Sequence, residues 1–201
     1  MQTLSRYPYQ VLGWLFFLQL AAAFVGRSLG PLVILIGADL SLTKVQVGLL
    51  PSALFLGQFI ATLPAGFLSD YFGIRKIISS LVFLVGIGFV FFTYSTTFLT
   101  AVLFVIIAGM GYGGIHPVTN KGILEWFPPS NRGLPMGIKQ MSVTLGSALA
   151  SLILLPVSTE VGWRITLGSV SAFLLVIALV SFFRLKNIDR NMACLFFESF
   201  I

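Results

Sequence analysis

Six times along the chain, at residues 11–35, 45–67, 77–94, 98–115, 134–156 and 165–183, a run of mostly apolar residues reaches the length of about 20 that a helix needs to cross a bilayer. Only short polar or Gly/Pro-marked breaks separate the runs. No other feature constrains the fold as strongly, because a chain crossing hydrocarbon must satisfy its own backbone and does so as helix. An all-α membrane protein of six transmembrane helices is the expectation. Composition points the same way: the 201 residues are 57% hydrophobic and 9% charged, against roughly 25% charged in an ordinary soluble domain. A soluble fold could not bury that much apolar surface, whereas lipid solvates the outward faces of a polytopic membrane protein. A secretory leader is a poor reading of the first run, which continues through Arg27 to Ile36, too long for a leader's apolar region.

Charge sets the expected orientation. With the N-terminus inside, Arg6, Arg75, Lys76, Lys121, Arg132, Lys139, Arg184, Lys186 and Arg190 fall on or near the cytoplasmic side, while Lys44 and Arg164 fall outside. Both termini are therefore expected in the cytoplasm, and the protein in an inner or plasma membrane, with Trp126 and Trp163 at opposite interfaces. An internal repeat is faintly visible. Placing 47-VGLLPSALFLGQFIATL-63 over 136-MGIKQMSVTLGSALASL-152 pairs Gly48 with Gly137, Leu56 with Leu145, Gly57 with Gly146, Ala61 with Ala150 and Leu63 with Leu152 at one offset. Span two then corresponds to span five, and the six spans read as a 3+3 inverted repeat. The alternative is that these small residues are ordinary helix-packing sites.

The stretch 66-GFLSDYFGIRK-76 is charged where its surroundings are not. Gly66 allows close helix approach, Gly73 a tight turn, and Arg75 and Lys76 anchor the next helix at the anionic inner leaflet. Asp70, a carboxylate just beneath the membrane, requires a cationic or helix-terminal partner. The pattern Gly66-x-Leu68-x-Asp70-x-x-Gly73-x-Arg75-Lys76 resembles the cytoplasmic loop motif of the major facilitator superfamily. Further likeness lies in 109-GMGYGG-114, 126-WFPPSNRG-133 and 162-GWR-164, in the order typical of that family's N-terminal half. The resemblance covers roughly residues 10 to 186. It implies half of a secondary transporter working by alternating access, with Asp70 in a latch that favours the outward-open state and Arg75 and Lys76 as its basic surroundings. Val105 stands where many proton-coupled members carry an arginine, and span five lacks the glycine-proline pattern of drug antiporters. Symport or uniport is therefore expected rather than antiport.

Arg27 is the most informative residue inside a span. A guanidinium there faces a water-filled cavity or a partner, and no acidic residue lies within the first span. Its planar fork suits an anion, held through two hydrogen bonds. In 22-AAFVGRSLGP-31 it also occupies the place where organic-anion and organic-phosphate members of the superfamily carry a substrate arginine. The alternative is that Arg27 snorkels to the outer interface or pairs with Asp39. The resemblance implies that spans one, two, four and five border the pathway, so Gln58, Lys139 and Gln140 join Arg27 as candidate substrate-binding residues. Lys139 is equally an inner-leaflet anchor, and the two amides equally bond neighbouring helices. Around 113-GGIHPVTNK-121 span four is expected to lose regularity at Pro117, and His116 is a candidate coupling residue or a merely hydrogen-bonded one.

Other classes lack their residues. The chain has one cysteine and one histidine, and no nucleophile turn or intramembrane aspartate pair, so no enzyme, metal site or cofactor is expected. Its twelve Lys and Arg are scattered singly, unlike a nucleic-acid-binding face. The expected domain is 1–186, followed by an atypical tail, 187–201, too short to span and too apolar for a solvated linker. That tail suggests a truncated or frameshifted product, in which case the chain is an incomplete transporter. The expected partners are lipid and a small, anionic substrate, with a second six-span half or a homodimeric copy completing the pathway. The alternative is a membrane interaction protein that does not transport.

Overall fold

The computed structural model describes residues 2–184. Helices α1 (Gln2–Gly26) and α2 (Leu29–Asp39) contribute the first membrane-length span, Pro8–Asp39, while α3 (Lys44–Phe72), α4 (Ile74–Thr93) and α5 (Phe98–Trp126) are spans two to four. Span five, Gly133–Val161, consists of α6 (Gly133–Leu149), a π-helical turn at Ala150–Leu154 and α7 (Leu155–Val161). Span six, Trp163–Phe183, lies in α8 (Trp163–Arg184). Among the described residues all six spans are helical and no strand occurs, so the chain is an integral multi-pass membrane protein. The tail 187–201 lies outside the described residues.

Local chemistry explains where the helices stop. Thr43 and Thr97 begin α3 and α5 with capping boxes, each hydroxyl accepting from the amide three residues on while Gln46 or Thr100 reaches back. Spans two and three are separated by Gly73 alone, at φ +81°, a conformation that disfavours side chains. Gly162, at φ +92°, separates spans five and six in the same way. Arg132 satisfies the end of α5 by donating from Nε to Phe127 O and from a terminal nitrogen to Leu124 O, each at 2.9 Å.

One boundary differs from the sequence reading. Span four does not lose regularity at 113–121 but runs as one helix through Pro117 to Trp126. Proline removes one backbone donor, whereas unwinding there would strand several groups in an apolar setting. The irregularities lie elsewhere, at the π turn of span five and at Arg27–Ser28, where Ser28 N donates to Val25 O and Gly30 N to Arg27 O across three residues instead of four.

Span two lies along span four and span five along span one, with span three between spans four and six. This arrangement carries the inverted repeat. A Cβ on Gly57 would strike Ile106 O, Met110 N and Gly109 Cα, while one on Gly146 would strike Leu20 O, Ala23 Cβ and Phe24 N. One offset relates all three partner pairs, Ile106 to Leu20, Gly109 to Ala23 and Met110 to Phe24. Equivalent glycines of spans two and five thus seat against equivalent turns of spans four and one. Two other pairs of the repeat agree in burial: Ala61 and Ala150 are buried, and Leu63 and Leu152 are exposed.

Candidate functional site

The site is assembled where spans one, two and four meet. Gly26 has no side chain, and its would-be Cβ lies 2.9 Å from the Tyr112 ring, so the ring rests on the backbone of span one just where that span tightens. The next residue, Arg27, extends over that ring, 5.6 Å from its centroid, and over Phe55 of span two at 5.7 Å. Its guanidinium is half-buried, and among the described residues no carboxylate is within ion-pairing distance. Pairing with Asp39, one of the two alternatives for Arg27, does not occur. Asp39 is held instead at the far end of α2, where Arg164 approaches it to 2.8 Å and Trp163 Nε1 donates to it at 3.2 Å.

Along span four, Tyr112, His116 and Asn120 recur every four residues and so share a face. Tyr112 meets the His116 ring edge-on at 5.8 Å. His116 Nδ1 lies 3.3 Å from Nε2 of Gln19, a fully buried amide of span one. Lys139, on span five, is 3% exposed; its ammonium donates to Asn120 Oδ1 at 2.7 Å and reaches His116 O at 3.5 Å. The inner-leaflet alternative for Lys139 therefore gives way to a buried one. Gln58 packs its backbone against Gly113, beside Tyr112, and its Nε2 is buried without a hydrogen-bond partner. Tyr112 OH and Gln19 Oε1 are likewise buried without partners. Gln140 is not part of this cluster; it is exposed, and its side chain makes no hydrogen bond among the described residues.

The structure thus gathers Arg27, Gln58, His116 and Lys139 around span four. Sequence reasoning missed Gln19 and Tyr112. The four-residue spacing of Tyr112, His116 and Asn120 is the signal that identifies Tyr112, whereas Gln19 becomes visible only when span one is laid beside His116.

At the end where spans two and four finish, the Lys121 ammonium donates to Asp70 Oδ1 at 2.5 Å and lies 3.6 Å from Glu125. Asp70 thus finds its cation on span four. Arg75 turns away to span six, donating from Nε to Phe182 O at 2.6 Å and stacking over the Phe182 ring at 5.1 Å; Lys76 is exposed. Gly73 makes the expected turn. Gly66 does not seat a neighbouring helix, because nothing lies within 4 Å of its would-be Cβ.

Two inverted helix triplets, with cationic and amide side chains gathered between the inner spans, define the architecture of a secondary-transporter domain. Comparison names the family: residues 15–191 match the Major Facilitator Superfamily, and the chain belongs to it. It is 30% identical to the "Probable sulfoacetate transporter SauU" of Cupriavidus necator over 68% of this chain and 33% of that protein. Against the "Probable L-galactonate transporter" of Escherichia coli the figures are 32% identity, 69% and 31%; against the "Hexuronate transporter" of Bacillus subtilis they are 27%, 64% and 30%. The chain therefore spans about a third of the length of these curated relatives. A bacterial homologue of the human lysosomal transporter Spinster, inward-facing and unoccupied, superposes with a TM-score of 0.78 at 25% identity, over 92% of this chain and 44% of that one.

Proposed function

We propose that this chain forms the substrate-binding half of an alternating-access transporter for a small organic anion, with Arg27 as the residue that holds the anion. One observation carries the reading: Arg27 is a half-buried guanidinium midway along a span, flanked by aromatic rings, with no carboxylate partner among the described residues. A charge in that position needs an anion to offset it, and its fork geometry favours carboxylate, sulfonate or phosphate. The names of the relatives, a sulfoacetate, a hexuronate and an L-galactonate transporter, support the same chemistry. In this reading a second six-span half completes the pathway, and the Asp70 end faces the cytoplasm. There the Asp70–Lys121 pair biases the gate. Gln58 contacts substrate beside Arg27, and His116 links substrate binding to proton movement. Gln140, exposed beside Lys139, faces the second half.

The test is equilibrium binding of organic anions and neutral sugars to the 201-residue chain in lipid nanodiscs, wild type against Arg27→Gln. An Arg27-dependent loss of anion affinity of about tenfold or more is expected, the size of one charge-assisted contact. Equal binding by both proteins, or a preference for neutral sugars, overturns the reading.

A further inference from the structure

Lys139 carries a charge that nothing in the described bundle answers. It is almost fully buried, yet its ammonium meets only the neutral Asn120 Oδ1 and His116 O. The carboxylates among the described residues are engaged elsewhere or distant: Asp39 with Arg164, Asp70 and Glu125 with Lys121, and Glu160 exposed at the opposite end of span five. A buried ammonium without a counter-charge is costly and is retained where an anion visits it. Of its three N–H groups, one has no described acceptor.

Arg27, half-buried against two aromatic rings, likewise has no carboxylate partner among the described residues, and the two cations are joined by one strip of side chains. Arg27 lies over Tyr112, Tyr112 lies edge-on to His116, and the His116 carbonyl faces Lys139. Along that strip Tyr112 OH and Gln19 Oε1 are buried without partners. Lys139 meets span four one to two turns beyond Tyr112, so about 6–12 Å of helix separates the levels of the two cations. A single carboxylate cannot answer both.

Resting on the reading of Arg27 given above, we infer that Lys139 is a second charge-reading residue and that the site takes small organic acids with an anionic group at each end. One end lies on Arg27 and the other on Lys139. The body of the molecule passes Tyr112 and Gln19, where hydroxyl groups find their hydrogen-bond partners. Specificity for two charges follows because a monoanion leaves one buried cation unanswered.

Three probes of similar reach test this by titration calorimetry of the 201-residue chain in nanodiscs: glutarate, with two carboxylates; pentanoate, with one; and glucuronate, with one carboxylate and hydroxyl groups. The variants are Lys139→Gln, which keeps a donor for Asn120, and Lys139→Arg, which restores the charge. Glutarate is expected to bind about tenfold or more tightly than either monoanion, with that ratio lost in Lys139→Gln and regained in Lys139→Arg. Equal melting temperatures of the three proteins show that the fold persists. If glucuronate or pentanoate binds as well as glutarate, or the ratio survives Lys139→Gln, the two-charge assignment is wrong while Arg27 remains the anion residue. If binding of every anion is absent or indifferent to Arg27→Gln, the reading of Arg27 fails and this inference with it.

Discussion

Two consecutive residues converge on Asp39: Trp163 through its indole N–H and Arg164 through its guanidinium, which also donates to Thr93 O and Ser95 O at 2.5 and 2.9 Å. This ties the ends of spans one and three to the start of span six. Arg164 stacks on Trp163 as well, 4.7 Å from its ring, so much of the motif 162-GWR-164 serves this junction. Because the Asp39 and Arg164 side chains are 45% and 35% exposed, solvent screens the pair and its worth is modest. A double-mutant cycle of Asp39→Asn and Arg164→Gln, read as melting in detergent, is expected to give a coupling energy of about 1 kcal/mol. A coupling indistinguishable from zero would reduce the contact to one of geometry alone. The same logic reassigns Asp70: its neighbours in sequence are basic, but its partner is Lys121, 51 residues away.

At the scale of helices, the glycines divide into those that seat a neighbour and those that do not. Gly57 and Gly146 press backbone against backbone, and an added methyl at either forces two spans apart, forfeiting dispersion contacts along the whole interface. Gly48 and Gly137, another pair matched by the same repeat, have nothing within 4 Å. Substitution to Ala at Gly57 or Gly146 is expected to cost about 1–3 kcal/mol, the range for overpacking, and at Gly48 or Gly137 less than about 0.5 kcal/mol, the range for open sites. Unfolding of the purified chain in mixed micelles measures this. Equal effects at all four positions would contradict the repeat geometry. The irregular turns also lie at this scale. Apolarity alone placed the end of span four near Ile115, where His116 and Pro117 interrupt the run, yet the helix continues to Trp126 because the buried backbone has no better partner than itself.

For the molecule as a whole, the proposed orientation, with both termini in the cytoplasm, rests on the excess of Lys and Arg at one end. Cys194 is the single cysteine, so a membrane-impermeant maleimide should label it in inside-out vesicles and not in intact cells. A cysteine placed at Ser41, with Cys194→Ser, should label with the opposite preference; labelling of Cys194 from outside would invert the assigned topology. By itself the sequence determined the six helical spans, the turn at Gly73, the family likeness, and the presence of a cation, Arg27, inside a span. Each of these is legible because it is local: apolar length, a backbone angle or a short motif is complete within a few residues. Which charges meet was decided only by the tertiary structure, as it was for the cluster of Gln19, Tyr112, His116 and Lys139. Lipid accepts an apolar face in any direction, so the hydrophobicity of a span does not say which side turns inward. That rotation is fixed when glycines such as Gly57 and Gly146 seat one helix on another, and the pairings of Asp39, Asp70 and Lys139 follow from it.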